Sequence, residues 1–292
     1  HGVRDATGQL VLTTTDTDTR RLESTGLRAS ALVPLYALRG ARDRVVLLSD
    51  ACTSGDLAAV AWSLLVLGVP TVALTSAASQ SESTGNWTFS QAIIDSLRGR
   101  ALLDTDEDGA VTLAEAAAEA RGAMRHREGQ PFGFVAAGVP LDLVLAEAAP
   151  WPKDLAALDV SGERWRRGDW VLVMRNGEEV VGRVLGAERR PGRKGTRGPL
   201  DVRLRLAFFG YADETLGWAR EDRAREVAFE SHPVGARLAV EDDEEVYEAV
   251  VRRSEDGLHF VHYEGYEESE DEWVTPDQIL GTWADYQAER AE

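Results

Sequence analysis

The sequence Val45-Val46-Leu47-Leu48-Ser49-Asp50-Ala51-Cys52-Thr53-Ser54-Gly55 decides the fold of the first half of the chain. A short apolar run that opens with β-branched residues predicts a strand over 45–48, and the apolar residues 57–67 predict a helix. The same pattern predicts strands over 71–74 and 133–137 and a helix over 89–97. Apolar strands that alternate with helices indicate a parallel sheet covered on both faces, with its active site at the strand ends.

Composition narrows the class of protein. The chain has 292 residues, a net charge of −18 and one cysteine. This length predicts two or three domains, and the negative charge argues against nucleic acid as a partner because phosphates would be repelled. A single cysteine excludes an intrachain disulfide and a multi-cysteine zinc site, and it suits a reducing, cytoplasmic location. The sequence has no apolar run of about twenty residues, so it predicts no membrane-spanning helix.

Cys52 stands where the first predicted strand ends and a helix begins. Backbone N–H groups at a helix start favour a thiolate, and a strand end is open to substrate. A buried, inert thiol is the alternative, and the neighbouring Asp, Thr, Ser and Gly residues argue against it. A nucleophilic thiol needs a base. His1 is the candidate, since His126 lies in a polar helical stretch and is expected to be solvated.

These motifs together resemble a known family. His1-Gly2, an Asp-containing turn over 9–18, and a strand followed by Asp-Ala-Cys-x-Ser-Gly resemble the clan of caspases, metacaspases and legumains over roughly residues 1–147. The segments 71–90 and Gln130-Pro131 look like those of its prokaryotic members. The resemblance implies a cysteine endopeptidase acting on a protein or peptide, in which His1 assists Cys52 and the N–H groups of Gly2 and Cys52 form the oxyanion hole.

The resemblance also implies a pathway and an incomplete sheet. Prokaryotic relatives suggest a role in stress, defence or cell death, and a catalytically inactive scaffold is the alternative. In this clan three strands precede the catalytic histidine, whereas nothing precedes His1. We therefore expect residues 1–150 to form the C-terminal portion of a caspase-like α/β domain, which an upstream segment of the same protein completes.

The candidate substrate-binding residues are Asp50, Ser76 and Glu82. By resemblance, Asp50 occupies the position that in metacaspases helps to form an acidic pocket for Arg or Lys. The alternative, that Asp50 caps the following turn or helix, stays open. A caspase pocket for Asp would need arginines, which these positions do not provide. A legumain-like preference for Asn is a further alternative.

Residues 104–115 fit the calcium-binding loop of an EF-hand. The loop carries carboxylates at positions one, three and five, a glycine at six and a glutamate at twelve. The predicted ligands are Asp104, Asp106, Asp108, the carbonyl of Ala110, and Glu115. Val111 should pack inward, with helices over 90–97 and 113–124 on either side. We expect Ca²⁺ as a cofactor that modulates activity; an acidic turn before a helix is the alternative.

The second half of the chain predicts two small all-β domains after a boundary near Pro150. Residues 163–230 are interpreted as a Tudor- or SH3-like barrel, and Asn176-Gly177 marks a tight hairpin within it. The basic loop 188–197 would contact nucleic acid or an acidic partner, or would be merely solvated. Residues 232–282 resemble the chromo-barrel and Tudor-knot family through three segments: Tyr247-Glu248-Ala249, Phe260-Val261-His262-Tyr263-Glu264-Gly265-Tyr266 and Asp271-Glu272-Trp273-Val274.

In relatives of this second family, aromatic residues cage a methylated lysine. The candidate partner-binding residues are Tyr247, Tyr263, Tyr266 and Trp273, although Trp273 is favoured as a core residue and Tyr266 as the most exposed. We interpret His259 and His262 as surface residues. The barrels would bind a partner whose identity the sequence leaves open.

Overall fold

The computed structural model describes residues 1–38, 44–79, 81, 83–191, 200–209, 214–227, 231–242, 245–255, 258–274 and 278–290. They form a mixed α/β protein with several small sheets. The chain divides into two compact units, the first made of His1–Ala92, Ala120–Leu143 and Phe229–Glu292, the second of Ile93–Glu119 and Val144–Ala228. The predicted domain 1–150 therefore contributes to both units. Among the described helices, none has the length and apolar character needed to cross a bilayer.

The first unit contains the predicted α/β sheet, whose strands are Val45–Ser49, Thr71–Thr75 and Gly133–Ala137. The first two pair in parallel, but Gly133–Ala137 runs antiparallel to the central strand. The expectation of an all-parallel sheet was therefore wrong for the third strand. An apolar run has the same pattern in either direction, so the sequence could not distinguish the two.

Burial differs between the central strand and its neighbour. All five residues of Thr71–Thr75 are buried, as expected for a strand covered on both faces. Val45–Ser49 alternates instead, and Val46 and Leu48 are 53% and 46% exposed. The expectation that both faces are covered was wrong here, because this strand lies at the edge of the described sheet and only one of its faces meets the core.

Helix Leu57–Val66 covers the closed face of this sheet. Its buried residues Val60, Ala61 and Leu64 pack in one cluster with Val45 and Leu47. Leu10, from a separate N-terminal sheet, belongs to the same cluster. The N-terminal segment is thereby anchored against the elements on either side of Cys52.

The N-terminal sheet is antiparallel, with strands Gly2–Arg4, Leu10–Leu12 and Leu27–Arg28 in that order. The buried carboxylate of Asp5 fixes its first turn, because it accepts hydrogen bonds from the hydroxyl and N–H of Thr7 and the N–H of Gln9. Nε of Arg28 donates to the same carboxylate at 2.9 Å. These contacts, led by the Thr7 hydroxyl, lower the pKa of Asp5 to about 2.

The remaining helices connect these sheets. The longer ones are Thr88–Leu97 and Leu113–Ala123, the latter continuing as a π-helical turn over Met124–Glu128. The shorter α-helices are Leu22–Thr25, Leu32–Leu38, Lys153–Ala156 and the C-terminal Trp283–Arg290. The 3₁₀ segments are Thr19–Arg21, Ala29–Ala31, Ser54–Asp56, Ala101–Leu103, Glu221–Arg223 and Glu268–Glu270.

A five-stranded antiparallel sheet forms the C-terminal part of the first unit. Its strands, in spatial order, are Glu272–Val274, Leu258–Tyr263, Glu245–Glu255, Arg237–Asp242 and Ile279–Thr282. Its core includes Leu238, Val251 and Val261, each fully buried. His259 is only 1% exposed and accepts a hydrogen bond from the N–H of His232, so its assignment to the surface was wrong. His259 is buried because both faces of strand Leu258–Tyr263 are covered, and all but one of its residues are buried.

The second unit contains two sheets. Ala110–Thr112 pairs with Val144–Glu147. The larger sheet has, in spatial order, strands Glu214–Arg220, Leu200–Phe209, Glu178–Pro191, Trp170–Arg175 and Arg225–Glu226. Asn176 and Gly177 form the two-residue turn that the sequence predicts, with φ values of 54° and 91°. The basic loop 188–197 lies mostly outside the described residues.

Candidate active site

Cys52 and His1 line one pocket, at the end of strand Val45–Ser49. Its volume is about 300 Å³. The other residues that line it are Asp50, Ala51, Ser83, Thr84, Gly85 and Trp87. The structure therefore brings together the predicted nucleophile, the predicted base and the predicted specificity residue, although they are separated in sequence.

Two glycines allow the backbone to approach closely around Cys52. A Cβ atom at position 2 would overlap the carbonyl oxygen of Cys52, so only glycine lets the N-terminal strand reach this turn. A Cβ at position 55 would overlap the backbone of Ala78 and Ser79 in the same way. Close backbone contact therefore explains the glycine in each of the two motifs, His-Gly and Cys-x-Ser-Gly. The backbones of Gly2 and Cys52 are in contact.

Arg4 ties the N-terminal strand to the helix that follows Cys52. Its guanidinium pairs with Asp56 at 2.9 Å and also donates to the carbonyl oxygens of Gly8 and Ser79. Since Arg4 is two residues beyond Gly2, these contacts fix the position of His1 relative to the cysteine turn. This tether is a positioning element that the sequence did not indicate.

The Cys52 turn is strained and held by its neighbours. Thr53 adopts φ of 54°, a left-handed conformation that is unfavourable for a β-branched residue. Its N–H donates to the carbonyl oxygen of Ser81 at 2.9 Å. The half-buried Sγ atom of Cys52 accepts a hydrogen bond from the N–H of Ser83 at 3.3 Å. A backbone donor aimed at sulfur supports negative charge there.

Asp50 lies in the pocket and also caps a helix. Its Oδ2 atom accepts hydrogen bonds from Oγ and N–H of Ser90, at 2.6 and 3.3 Å, in the first turn of Thr88–Leu97. Its Oδ1 atom accepts from Oγ of Ser83 at 3.2 Å. Asp50 therefore caps the helix after the next strand rather than the turn or helix that directly follows it, and it also lines the pocket.

The other predicted substrate-binding residues differ from Asp50. Ser76 is fully buried, and its hydroxyl contacts Oγ of Ser83 at 2.8 Å rather than the pocket. Glu82 lies outside the described residues. Sequence reasoning missed Ser83 and Trp87, the latter 73% exposed with φ of 58°. Their position after the second strand of an α/β sheet was the available signal.

The acidic loop brings three of its predicted ligands together. One carboxylate oxygen each of Asp104, Asp106 and Asp108 lies within 4.8 Å of the others. Backbone N–H groups hold this arrangement: those of Asp108 and Gly109 donate to Asp104, and that of Ala110 donates to Asp108. Gly109 has φ of 91°, as the sharp turn requires. Carboxylate oxygens are the type of ligand that a hard cation such as Ca²⁺ takes in proteins.

Glu115 is not part of this group of carboxylates. Each of its oxygens accepts two hydrogen bonds, one oxygen from Thr105 and the other from Thr112. Burial would raise the pKa of Glu115, but the donors of Thr112 and Thr105 lower it overall. Val111 is fully buried, as predicted. The expected entering helix ends at Leu97, and the 3₁₀ segment Ala101–Leu103 leads into the loop instead.

Three tyrosines of the C-terminal sheet surround a second pocket. Tyr247 lies 5.7 Å from Tyr263 and 5.6 Å from Tyr266 between ring centroids, in edge-to-face geometry. The pocket has a volume of about 190 Å³ and is otherwise lined by carboxylates. These belong to Asp242, Glu270 and Glu272. We call this site the tyrosine pocket.

Carboxylates also hold the phenols in place. Tyr247 donates to Glu245 at 2.9 Å, which together with burial raises the pKa of Tyr247 to about 12. Burial, and a 2.7 Å hydrogen bond to Glu272, raise the pKa of Tyr263 further. Tyr266 is 51% exposed and is the most open wall, as predicted.

Trp273 does not line the tyrosine pocket. It is 9% exposed and packs on Phe260 at 5.6 Å between ring centroids, in line with the core role favoured by the sequence. His262 is partly buried rather than on the surface, and its Nδ1 atom contacts Asp271 at 2.6 Å. The tyrosine pocket is therefore made of three of the four predicted aromatic residues.

No protein-family model matches the chain, and no curated protein matches it.

Proposed function

We propose that this chain carries the catalytic site of a caspase-like cysteine endopeptidase. The supporting observation is that His1 and Cys52 line one pocket, while the backbone of Gly2 packs against Cys52. Nucleophilic catalysis by a thiol requires a base within reach, and a pocket that cysteine and histidine both line at a strand end supports that arrangement. The Ser83 N–H contact to Sγ favours the nucleophile further.

In the proposed reaction, His1 accepts the thiol proton of Cys52 as Sγ attacks the carbonyl carbon of the scissile peptide bond. The N–H groups of Gly2 and Cys52 donate to the oxygen that becomes negative, a contribution of about 3 kcal/mol. His1 then protonates the leaving amine, and a thioester remains on Cys52. Water, deprotonated by His1, hydrolyses the thioester and restores the thiol.

Asp50 and Trp87 suggest the side chain that the pocket accepts. A carboxylate and an exposed indole in one pocket favour a cationic group, through an ion pair and cation–π attraction. We therefore propose cleavage after Arg or Lys. Strand Val45–Ser49 lies at the edge of the described sheet, where an upstream segment of the same protein would add a strand. The same segment would cover the exposed side chains of Val46 and Leu48.

The decisive experiment is to profile a peptide library with the full-length gene product and its Cys52→Ala variant. We expect cleavage by the wild type, none by the variant, and the same melting temperature for both. His1→Ala should likewise lack cleavage, and His126→Ala is its matched control, which should retain activity because His126 does not line the pocket. Cleavage that persists without Cys52 would show that the nucleophile is wrongly assigned.

Calcium binding at Asp104, Asp106 and Asp108 is part of this proposal. The carbonyl of Ala110 would add a ligand, and Glu115 would join by exchanging its contacts with Thr105 and Thr112 for the ion. When bound, Ca²⁺ would neutralise three adjacent carboxylates and order the loop. Modulation of peptidase activity follows as the regulatory part of the proposal.

A second candidate function, a binding module, is favoured by the tyrosine pocket. Three π faces and three carboxylates around one cavity favour a cation with an apolar surface, such as a methylated lysine side chain. Such binding does not depend on whether the Cys52 site is catalytically active. It is what the resemblance to the Tudor-knot family implies.

Peptides that carry trimethyllysine, lysine or norleucine test this candidate by calorimetry. We expect trimethyllysine to bind best and norleucine not at all, because norleucine lacks the charge. Tyr266→Ala should weaken binding about tenfold, which corresponds to one favourable ring. Tyr286→Ala is the matched control, since Tyr286 stacks on Trp283 outside the pocket. Equal affinity for trimethyllysine and norleucine would exclude a cation site.

A further inference from the structure

A third pocket in the first unit combines positive charge with aromatic rings. It has a volume of about 230 Å³ and lies between the α/β sheet and the C-terminal sheet of that unit. We call it the arginine pocket. The residues that characterise it are Arg121, Arg125, Arg253, Phe132, Phe134 and Trp273.

Arginine is frequent among the residues that line this pocket, although the chain as a whole is acidic. The protein has a net charge of −18, and the Cys52 pocket and the tyrosine pocket both contain carboxylates. Among the described residues that line the arginine pocket, none is acidic and three are arginines. Such a local concentration of guanidinium groups favours an anion, because arginine recognises phosphate and carboxylate by paired hydrogen bonds.

The backbone places two of these arginines on one face. Arg121 and Arg125 are four residues apart, where helix Leu113–Ala123 continues into the π-helical turn Met124–Glu128. Side chains at this spacing are neighbours, so both guanidinium groups can contact one ligand. π-helical turns also occur frequently at functional sites.

The aromatic residues supply flat surfaces next to this charge. Phe132 and Phe134 are nearly parallel, with an interplanar angle of 13° and centroids 6.3 Å apart. From the other side, the Arg253 guanidinium lies over Trp273, 5.4 Å from the ring centroid. Aromatic faces and an arginine plane both stack on planar rings.

We propose that the arginine pocket binds a small ligand in which a planar aromatic ring carries a phosphate or carboxylate group. The ring would stack among Phe132, Phe134 and Trp273, and the anionic group would contact the guanidinium groups. The pocket volume of about 230 Å³ is below the usual range for drug-sized ligands, so it suits a small ring with one anionic group and not a folded partner domain.

A hydrogen bond links this pocket to the Cys52 pocket. Gln130 lines the arginine pocket, and its Oε1 atom accepts from the N–H of Thr84 at 3.2 Å. Thr84 lines the Cys52 pocket and follows Ser83, the donor to the cysteine sulfur. A ligand that contacts Gln130 is therefore expected to change the reactivity of Cys52 through this hydrogen bond. This link does not depend on peptidase activity.

Calorimetry with the whole chain tests the binding site. The probes are adenosine 5′-monophosphate and 2-naphthoate, with adenosine and inorganic phosphate as compounds that lack the charge or the ring. We expect one of the first two to bind with a dissociation constant below about 1 mM and the latter two at least tenfold more weakly. 2-Naphthyl phosphate, which has the same ring as 2-naphthoate, then distinguishes phosphate from carboxylate as the preferred anionic group.

Variants locate the site. Arg121→Gln and Arg253→Gln should each weaken binding tenfold or more, since both side chains are exposed and their loss leaves the core intact. Arg237→Gln is the matched control, because Arg237 pairs with Glu248 and Glu264 away from the pocket. Absence of binding at 5 mM, or equal binding by both arginine variants and wild type, would overturn the proposal.

The rate of alkylation of Cys52 by iodoacetamide tests the link. The bound probe should change this rate at least twofold in the wild type, and Gln130→Ala, compared at a probe concentration that saturates the variant by calorimetry, should remove the change. An unchanged rate in the saturated wild type would disprove the transmission to Cys52. Because alkylation needs no peptide substrate, this result is distinct from a failure of the proposed peptidase function.

Discussion

The N–H of Ser83 donates to the Sγ atom of Cys52 at 3.3 Å, across thirty-one residues of sequence. The hydroxyl of Ser83 donates in turn to Asp50. One residue thus contacts both the proposed nucleophile and the proposed specificity residue. Ser83 therefore influences both the position of the Cys52 sulfur and the position of the Asp50 carboxylate.

Gly2→Ala should inactivate the site although His1 and Cys52 are both retained. The added methyl group overlaps the Cys52 carbonyl oxygen and moves the N-terminal strand away, and displacement of about 1 Å costs roughly a hundredfold in rate. Peptide cleavage and melting temperature are measured together. Gly26→Ala, which overlaps Val11 in the same sheet, is the control for general destabilisation. Equal activity of Gly2→Ala and wild type would contradict the proposed geometry.

Asp50→Asn should reduce kcat/KM for substrates with Arg at the cleavage site by roughly 10- to 100-fold, through loss of the ion pair. Substrates with Asn at that position should be affected far less. Fluorogenic peptides that differ at this residue alone provide the measurement. Asp18→Asn, on an exposed turn away from the pocket, is the control. A uniform loss for all substrates would indicate that Asp50 acts only as the cap of helix Thr88–Leu97.

Asp5 should contribute a pH-dependent part of the stability. Its pKa is lowered to about 2 from 3.8, so the folded state favours the ionised carboxylate. This stabilisation is complete above pH 3.8 and is lost as the pH falls through about 2. Asp5→Asn should therefore melt below the wild type at pH 6, and the difference should disappear near pH 2. A difference that is constant with pH would contradict this assignment.

Calcium should bind the whole chain with a dissociation constant of about 0.1–1 mM, as for a weak single loop. Asp104→Asn and Asp108→Asn should each weaken binding tenfold or more by calorimetry. Glu107→Gln is the matched control within the loop, because Glu107 is not one of the grouped carboxylates. Binding that survives both aspartate variants would place the ion elsewhere.

Local patterns predicted much of the fold. The strands 45–49, 71–75 and 133–137, the helices around them and the Asn176-Gly177 turn all lie within a few residues of their expected bounds. Each depends on neighbouring residues, such as apolar runs or a turn that needs positive φ. Strand direction and the exposure of Val46 depend on neighbours distant in sequence, and the expectations there were wrong.

The residues of the candidate site divide in the same way, into those that a local motif indicates and those that only the folded structure brings together. The sequence could indicate Cys52, His1 and the three tyrosines because each stands in a recognisable motif. It could not indicate that Asp50 would cap a helix forty residues away, that Ser76 would be buried behind Ser83, or that Arg4 would tether the N-terminal strand. These contacts arise only after the sheets assemble.

The left-handed conformation of Thr53 has a consequence for anyone who engineers this protein. Glycine adopts φ of 54° without steric penalty, so Thr53→Gly should relieve roughly 1 kcal/mol of conformational energy at that residue. The same replacement would let the segment beside the sulfur sample other shapes. We therefore expect Thr53→Gly to raise the melting temperature and to lower the rate of peptide cleavage.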